Sequence, residues 1–538
     1  MVQPADKDRY FRRSLSVPEP ALRRTRPQLS SRRQRRGRGF SGVAALQPIE
    51  IPKPQILRRR LPTLELWGEE ELRLVEARAD RILAEVGVAF PDDAEARALL
   101  TKAGATVEGD LVMFEPGLAR SLCRTAPKHF DMLARNPDRH LHFGDDAVVF
   151  MPSYGSPFVT CLDRGRRYAT LEDFENLVKL AYMSPYLHHS GGTVCEPVDR
   201  PVNKRHLDML YAHLRYSDKP FMGSVTAPER AEDSLAMARI AFGDATFEQN
   251  CVIQGNINVN SPLVYDAIMT GALKAYARAG QCPVISPFIL AGAMSPVTQV
   301  AALAQALAEL LAGIALTQVI RPGCPVIAGS FLTTMNLKTG APTFGTPEAH
   351  LSSLAFGQLI RRLGLPLRTG GHLTASKCAD AQAMQESATS MMSGLMAGSN
   401  FVFHAAGWLE GGLTVGYEKF MLDLDHCGMM HRFSEGLVVD DESLALDTYT
   451  EAPPGHNHLG TSHTLRNFRS ANHESSLADV QPYETWVEQG SQSAEQRANI
   501  QWKQALQDYS PPYIEPGIDE ALRAFMDRRK ASMPDAWY

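Results

Sequence analysis

The sequence predicts an α/β protein built as a (β/α)8 TIM barrel, with a helical N-terminal extension before it and a C-terminal region wrapped around it. Three observations predict this. Between residues 151 and 436 short β-rich runs alternate with amphipathic helical runs. Eight such units can be counted, and eight consecutive parallel units close best as a barrel, because a doubly wound sheet has fewer strands and reverses its order partway. The units have a period near 35 residues but share no side-chain consensus, which argues against a solenoid.

The units follow in order. PFVTCL (157–162) precedes a helix opened by Thr170, Glu172 and Asp173. LHHSGGTVCE (187–196) precedes a helix from Asn203, and KPFMGSVT (219–226) one from Pro228. NCVIQGNINVN (250–260) precedes a helix opened by Ser261 and Pro262, a cap followed by a first-turn proline. CPVISPFIL (282–290) leads to a long helix opened by Ser295 and Pro296, and CPVIAGSFLT (324–333) to one opened by Thr346, Pro347 and Glu348. LPLRTGGHL (365–373) leads to a helix from Asp380, and NFVFHAAGWL (400–409) to one from Glu418.

Four regions result: an arm at 1–60, an extension at 61–150, the barrel at 151–436 and a C-terminal extension at 437–538. The extension reads as helices over Glu69–Val86 and Asp92–Ala103 with a strand pair over Ala105–Phe114, covering one barrel end. The arm holds 16 Lys and Arg against 4 acids, a net of +12 beside −17 for the rest of the chain. Pro18, Pro20, Pro27, Pro48, Pro52 and Pro54 and the lack of apolar periodicity predict that it is disordered. It fits a solvated tail or a strap for the acidic body better than a nucleic-acid contact or a transit peptide. The most apolar stretch, Ala291 to Ile320, is broken by Gln299, Gln305, Glu309 and Gln318, which predicts a buried helix and no membrane span. Eight scattered cysteines with no C-x-x-C pair predict reduced core thiols and a cytoplasmic protein. Chain size and apolar helix faces predict a homo-oligomer.

Barrel chemistry sits at the carboxyl ends of the strands. There the sequence delivers Glu196, Ser224, Thr226, Gln254, Asn256, Asn258, Ser286, Phe331, Thr333, His372, Ser376, Lys377, His404, Trp408 and Glu410. The set is rich in amides and aromatics and poor in clustered metal ligands, so no metal site is predicted. His456, His458, His463 and His473 lie in a Gly/Pro-rich stretch without carboxylates and read as solvated or packing side chains.

Four long runs then carry a resemblance: FILAGAMSPVTQVAALAQALAELLAGIALTQVIRPGCPVIAGSF (288–331), TGAPTFGTPEAH (339–350), DAQAMQES (380–387) and HAAGWLEGGLTVGYEKF (404–420). In this order they resemble the trimethylamine methyltransferase family, over roughly residues 60–530. The resemblance implies a (β/α)8 barrel that moves a methyl group from an amine to the cobalt of a corrinoid carried by a partner protein. Archaeal members carry pyrrolysine after the seventh strand; the corresponding position here is at or close to Lys377, an ordinary residue. Members of that kind resemble glycine-betaine-type enzymes acting on quaternary amines.

A quaternary nitrogen is already charged and leaves without an acid, so the protein's task is positioning and electrostatics. Phe331, Phe344 and Trp408 are the expected aromatic cage, each face worth about 0.5 to 2 kcal/mol. Lys377, Glu196 and Glu410 are the expected catalytic or charge-balancing groups. His372 and Asn256, with His404, are the expected donors to a substrate carboxylate. Two other classes stand beside this reading: a metal-dependent barrel hydrolase using His188, His189, His372 and His404, and a non-enzymatic binding protein using the basic arm.

Overall fold

A computed structural model describes residues 53–537, so residues 1–52, most of the expected arm, lie outside the described residues. The arm does not extend to residue 60 as expected. Leu57–Arg58 pairs antiparallel with Ala147 and Val148, and Leu57 is buried. Arg59 and Arg60 donate backbone hydrogen bonds to Asp146 and Ser434. One buried leucine and a few backbone partners order a segment whose arginine run disguises it.

Six strands, each parallel to its neighbours, form a curled central sheet. They are β1 (Ala147–Phe150), β2 (Gln254–Val259), β3 (Cys282–Ala291), β4 (Ile327–Gly329), β5 (Leu367–Gly370) and β6 (Phe401–Phe403). Their order in space is β2-β3-β4-β5-β6-β1. Just beyond β4, Phe331–Met335 rejoins the carboxyl end of β3. The eight expected helices are all present: α1 (Leu171–Met183), α2 (Arg205–Tyr216), α3 (Pro228–Phe242), α4 (Ala267–Arg278), α5 (Gln299–Ile320), α6 (Pro347–Leu363), α7 (Ala381–Met396) and α8 (Tyr417–Ser434). Thr170 and Asp173 close a reciprocal capping box at α1, and Asp380 caps α7.

Three expected strands differ. The first central strand is β1, not 157–162: Phe158–Thr160 belongs to a separate rim sheet with Arg167–Tyr168, Thr414–Gly416 and Trp408–Leu409. All four residues of β1 are buried, so it lacks the alternation that marks a half-exposed strand. The segments expected as strands two and three form no ladder. Single hydrogen bonds carry the chain from β1 to β2 instead: His188 N to Phe150 O (3.0 Å), Ser190 N to Pro220 O (2.8 Å), Met222 N to Gly191 O (2.9 Å) and Gly223 N to Gln254 O (2.8 Å). Backbones approach side chains closely here, since a methyl group at Gly223 would lie 2.3 Å from the Tyr276 hydroxyl.

Two helix starts also move inward. Asp266, not Ser261, caps α4, accepting from the backbone of Ile268 and Met269. The long helix α5 begins at Gln299, after Thr298. The Ser261 hydroxyl instead donates to Glu309 (2.6 Å), which also accepts from Leu263 N (2.8 Å) and Gln305 Nε2 (2.9 Å). Burial raises the Glu309 carboxyl above its ordinary value, and these three donors offset part of that effect.

Helix α5 is the one described helix long and apolar enough to cross a membrane, and it is buried in the protein instead. The sheet covers one side of it; the extension, with helices Glu69–Arg81 and Ala94–Lys102 and the strand pair Thr106–Glu108 and Leu111–Met113, joins the same apolar core on another. A second strand pair of the extension, Phe130–Met132 and Leu141–Phe143, packs against Cys251, Cys282, Ile327 and Phe401 at the amino ends of the central strands, so part of the extension lies over one end of the sheet, in line with the expected cover, and part lies along α5. At the other terminus, Ala494–Gln507 packs on α8, with Trp502 Nε1 donating to Glu418 (3.0 Å), and Pro516–Ala531 lies on α3, where Arg529 pairs with Asp233.

Several histidines are buried in this frame. Burial pushes His213 and His431 down to about 4 and His372 to about 3, and holds His188 and His189 well below the ordinary 6.5. They stay neutral while folded and gain protons only on unfolding, so stability is full above about pH 7.5 and falls as pH drops below 6.5, by up to about 1.4 kcal/mol per pH unit for each such histidine. The melting temperature should therefore fall steeply between pH 7.5 and pH 5.5; a flat melting profile over that interval would contradict the neutral assignment.

Candidate active site

A cavity of about 340 Å3 opens at the carboxyl ends of the strands. Asn256 and Asn258 reach it from β2, Ser286 and Phe288 from β3, Phe331 from beyond β4, and Arg368 from β5. His404 and Trp408 enter from the loop after β6, and Tyr154 and Glu196 from the loops beside β1. Parallel strands ending at one level, with alternate side chains turned inward, bring these groups together.

One wall is aromatic. The Phe331 ring centre lies 5.4 Å from Phe288, 5.5 Å from His404 and 5.8 Å from Trp408. Phe344 stands behind it, buried and 5.5 Å from Trp408, so it supports the wall without lining the cavity. Trp408 is held by its indole N–H, which donates to Thr374 O (3.1 Å). Below it, the fully buried Lys419–Asp423 ion pair fixes the Gly407 N–H on Asp423 Oδ2 (2.8 Å), which sets the loop that carries Trp408.

The other wall holds a buried cation that the sequence reading did not single out. Arg368, 3% exposed, donates to Ser330 O (3.1 Å) and to His404 Nε2 (3.3 Å). Its guanidinium lies 4.1 Å from the Phe403 ring centre and 5.2 Å from that of Phe331. No carboxylate pairs with it among the described residues, and burial pushes it down to about 9. Arginine only donates, so His404 accepts through Nε2 and carries its proton on Nδ1. Among the described residues that Nδ1 has no partner; neither do Arg368 Nε, Ser286 Oγ and Asn256 Oδ1. His404 also adopts a left-handed backbone (φ 58°), a strained conformation for a non-glycine residue. One signal for Arg368 was in the sequence: an arginine directly after Leu365, Pro366 and Leu367, within an expected central strand.

The expected site residues divide accordingly. Asn256, Phe331, His404, Trp408 and Glu196 line the cavity, with Glu196 at its mouth, paired to Arg205 (2.7 Å). His372 does not: its Nδ1 donates to Ala405 O (2.8 Å) and its Nε2 accepts from His426 (2.7 Å), beneath the floor of the loop. Glu410 is held by Arg166 (2.7 Å) and Thr414 (2.6 Å) in the rim sheet. Burial alone would raise its carboxyl; those two hydrogen bonds hold it below the ordinary value. Lys377 is exposed, its Nζ donating to Ala375 O (2.8 Å), while Glu386 ties down Thr374 and Ala375 and the buried Ser376 hydroxyl turns in to Asp380 (3.0 Å).

The hydrolase reading needs His188, His189, His372 and His404 to converge, and they do not. His188 is spent between Phe150 N (2.9 Å) and Gln55 O (2.8 Å), and His189 on Gly191 N (2.9 Å). Among the described residues the one grouping with metal-ligand spacing is His129, His142 and Asp145, before β1 and outside this cavity.

A ring-walled cavity of this kind, on parallel strand ends, suits a small organic ligand. The chain belongs to the Trimethylamine methyltransferase (MTTB) family, which matches residues 30–534. It is 39% identical over 470 residues to the glycine betaine methyltransferase of Desulfitobacterium hafniense (strain Y51), covering 87% of this chain and 98% of that protein. It is 29% identical to the proline betaine:corrinoid methyltransferase of Eubacterium limosum, covering 72% and 82%. With the trimethylamine methyltransferase MttB of Desulfitobacterium hafniense (strain DSM 10664 / DCB-2) the identity is 25%, covering 86% and 93%. Membership in a family of methyltransferases makes the chain an enzyme.

Because the Lys377 ammonium faces solvent, Lys377→Ala should leave kcat/KM for methyl transfer within about twofold of the parent. A drop of about a hundredfold would return Lys377 to the reacting centre.

Proposed function

We propose that this chain transfers a methyl group from a quaternary amine to the cobalt of a corrinoid held by a partner protein that docks over the strand ends. The observation that carries the reading is the wall of Phe288, Phe331 and Trp408 around a small cavity. Ring faces hold a permanent cation without a hydrogen bond, and the methyl carbons stay free toward the mouth. When docked, the corrinoid supplies the reduced cobalt that accepts the methyl group. The carbon–nitrogen pair returns to nitrogen and the product amine leaves neutral, so no acid is required. Arg368, His404 and the amides orient the substrate, and the buried walls exclude water.

The bonds through His188, Ser190, Met222 and Gly223 support closure of the curled sheet into a (β/α)8 barrel, with the cavity at its mouth. The names of the two betaine-specific relatives support the quaternary class and the corrinoid partner. The reading includes a cytoplasmic setting, in keeping with eight free cysteines, seven of them buried. It also includes a homo-oligomer in which a second copy covers 437–490, where Leu437, Leu446, Leu459 and Val480 stand out of the body.

The functional test is methylation of reduced cobalamin by the purified chain with glycine betaine, proline betaine, carnitine, choline or trimethylamine as donor. Methyl–cobalt absorbance should rise with at least one quaternary amine; failure with every one of them, also with a cognate corrinoid protein present, overturns the reading. Light scattering should give a mass at least twice the 59.2 kDa of one chain, and a monomer at micromolar concentration rejects the oligomer.

A further inference from the structure

We infer that Arg368 is the specificity-determining residue of this cavity and reads a carboxylate on the amine, so that the ligand class is a zwitterion carrying both a quaternary nitrogen and an acid. The inference rests on the methyl-transfer reading and assigns a residue to its selectivity.

A guanidinium presents five N–H donors, and when buried it is ordinarily paired with a carboxylate. Among the described residues, buried Arg368 meets only neutral acceptors, Ser330 O and His404 Nε2, and its Nε has no partner. It lines the cavity itself. Beside it the buried His404 Nδ1–H is a second unpartnered donor, held there by strained backbone. Two donors without acceptors, one charged, describe an anion subsite.

The charge balance then selects among amines. A lone ammonium seated against Phe331 would lie near a guanidinium 5.2 Å from the same ring, with no anion to offset it. Like charges in a desolvated cavity repel. A betaine brings its own carboxylate to Arg368 and leaves the cationic head for the rings, so the occupied cavity gains no net charge. Choline and trimethylammonium offer no such group. The alternative, that Arg368 only fills space between Phe331 and Phe403, predicts no dependence of its effect on the ligand's charge.

Binding without any corrinoid separates this inference from the transfer reaction. Calorimetry on the full chain would compare glycine betaine, choline and 3,3-dimethylbutanoate, the last having the betaine shape and carboxylate but no positive charge. The parent protein should bind glycine betaine at least about tenfold more tightly than choline. Arg368→Gln should lower affinity for both carboxylates by about tenfold or more and leave choline unchanged or tighter. Retained carboxylate binding in a folded Arg368→Gln protein, or equal losses for all three ligands, overturns the assignment. If that variant does not fold, the parent's own ranking decides, and equal affinity for choline and glycine betaine overturns it. Betaine binding that depends on Arg368 without any methyl transfer would sink the transfer reading and leave the anion subsite standing.

Discussion

A guanidinium taken out of water without a counter-ion sets the terms for the rest of this molecule. Removing such a charge from solvent costs several kcal/mol even after the surroundings relax. Here it is offset by one carbonyl, one imidazole nitrogen and two ring faces. Those partners come from the turn after β4, from β6 and the loop after it, and from the aromatic wall, so each must be held in place for the cation to be tolerated. The buried Lys419–Asp423 pair, the Trp408 bond to Thr374 and the Glu410–Arg166 pair serve that end by fixing the rim from below and outside.

The layout separates holding from binding. His372, Phe344 and Glu410 are buried or tightly bonded and build the scaffold around the loop, whereas Phe331, Trp408, His404 and Asn256 turn toward the cavity. Residues of both kinds come from the same strand ends and share the same chemistry. What distinguishes them is whether the polar atom is already spent on the protein. His372 has both nitrogens occupied; His404 has one left over.

Much of this was legible in the chain. Thr170, Pro228, Thr346–Pro347 and Asp380 mark helix starts because caps and first-turn prolines act locally, and all four hold. Ser261–Pro262 misled for the same reason: the local pattern is real, but Ser261 is claimed by Glu309, 48 residues away. The strand β1 was hidden because burial on both faces removes alternation, and 157–162 drew attention with an alternation that belongs to a rim strand. Phe331, Trp408, His404 and Asn256 were found by counting to strand ends. Arg368 was passed over because an arginine within a strand reads as a surface residue until the neighbours that enclose it are known. Lys377 failed for a converse reason: its place in the chain is near the site, but its side chain is exposed while that of the preceding Ser376 turns in to Asp380.

The order of segments along the chain has a consequence for synthesis. Helix α5 is buried along nearly its whole length, yet its outer cover, the hairpin and helices of 69–123, lies about two hundred residues nearer the start. As the polypeptide leaves the ribosome, the cover therefore exists before the surface it must shield, and α5 meets a waiting partner in place of solvent or another nascent chain.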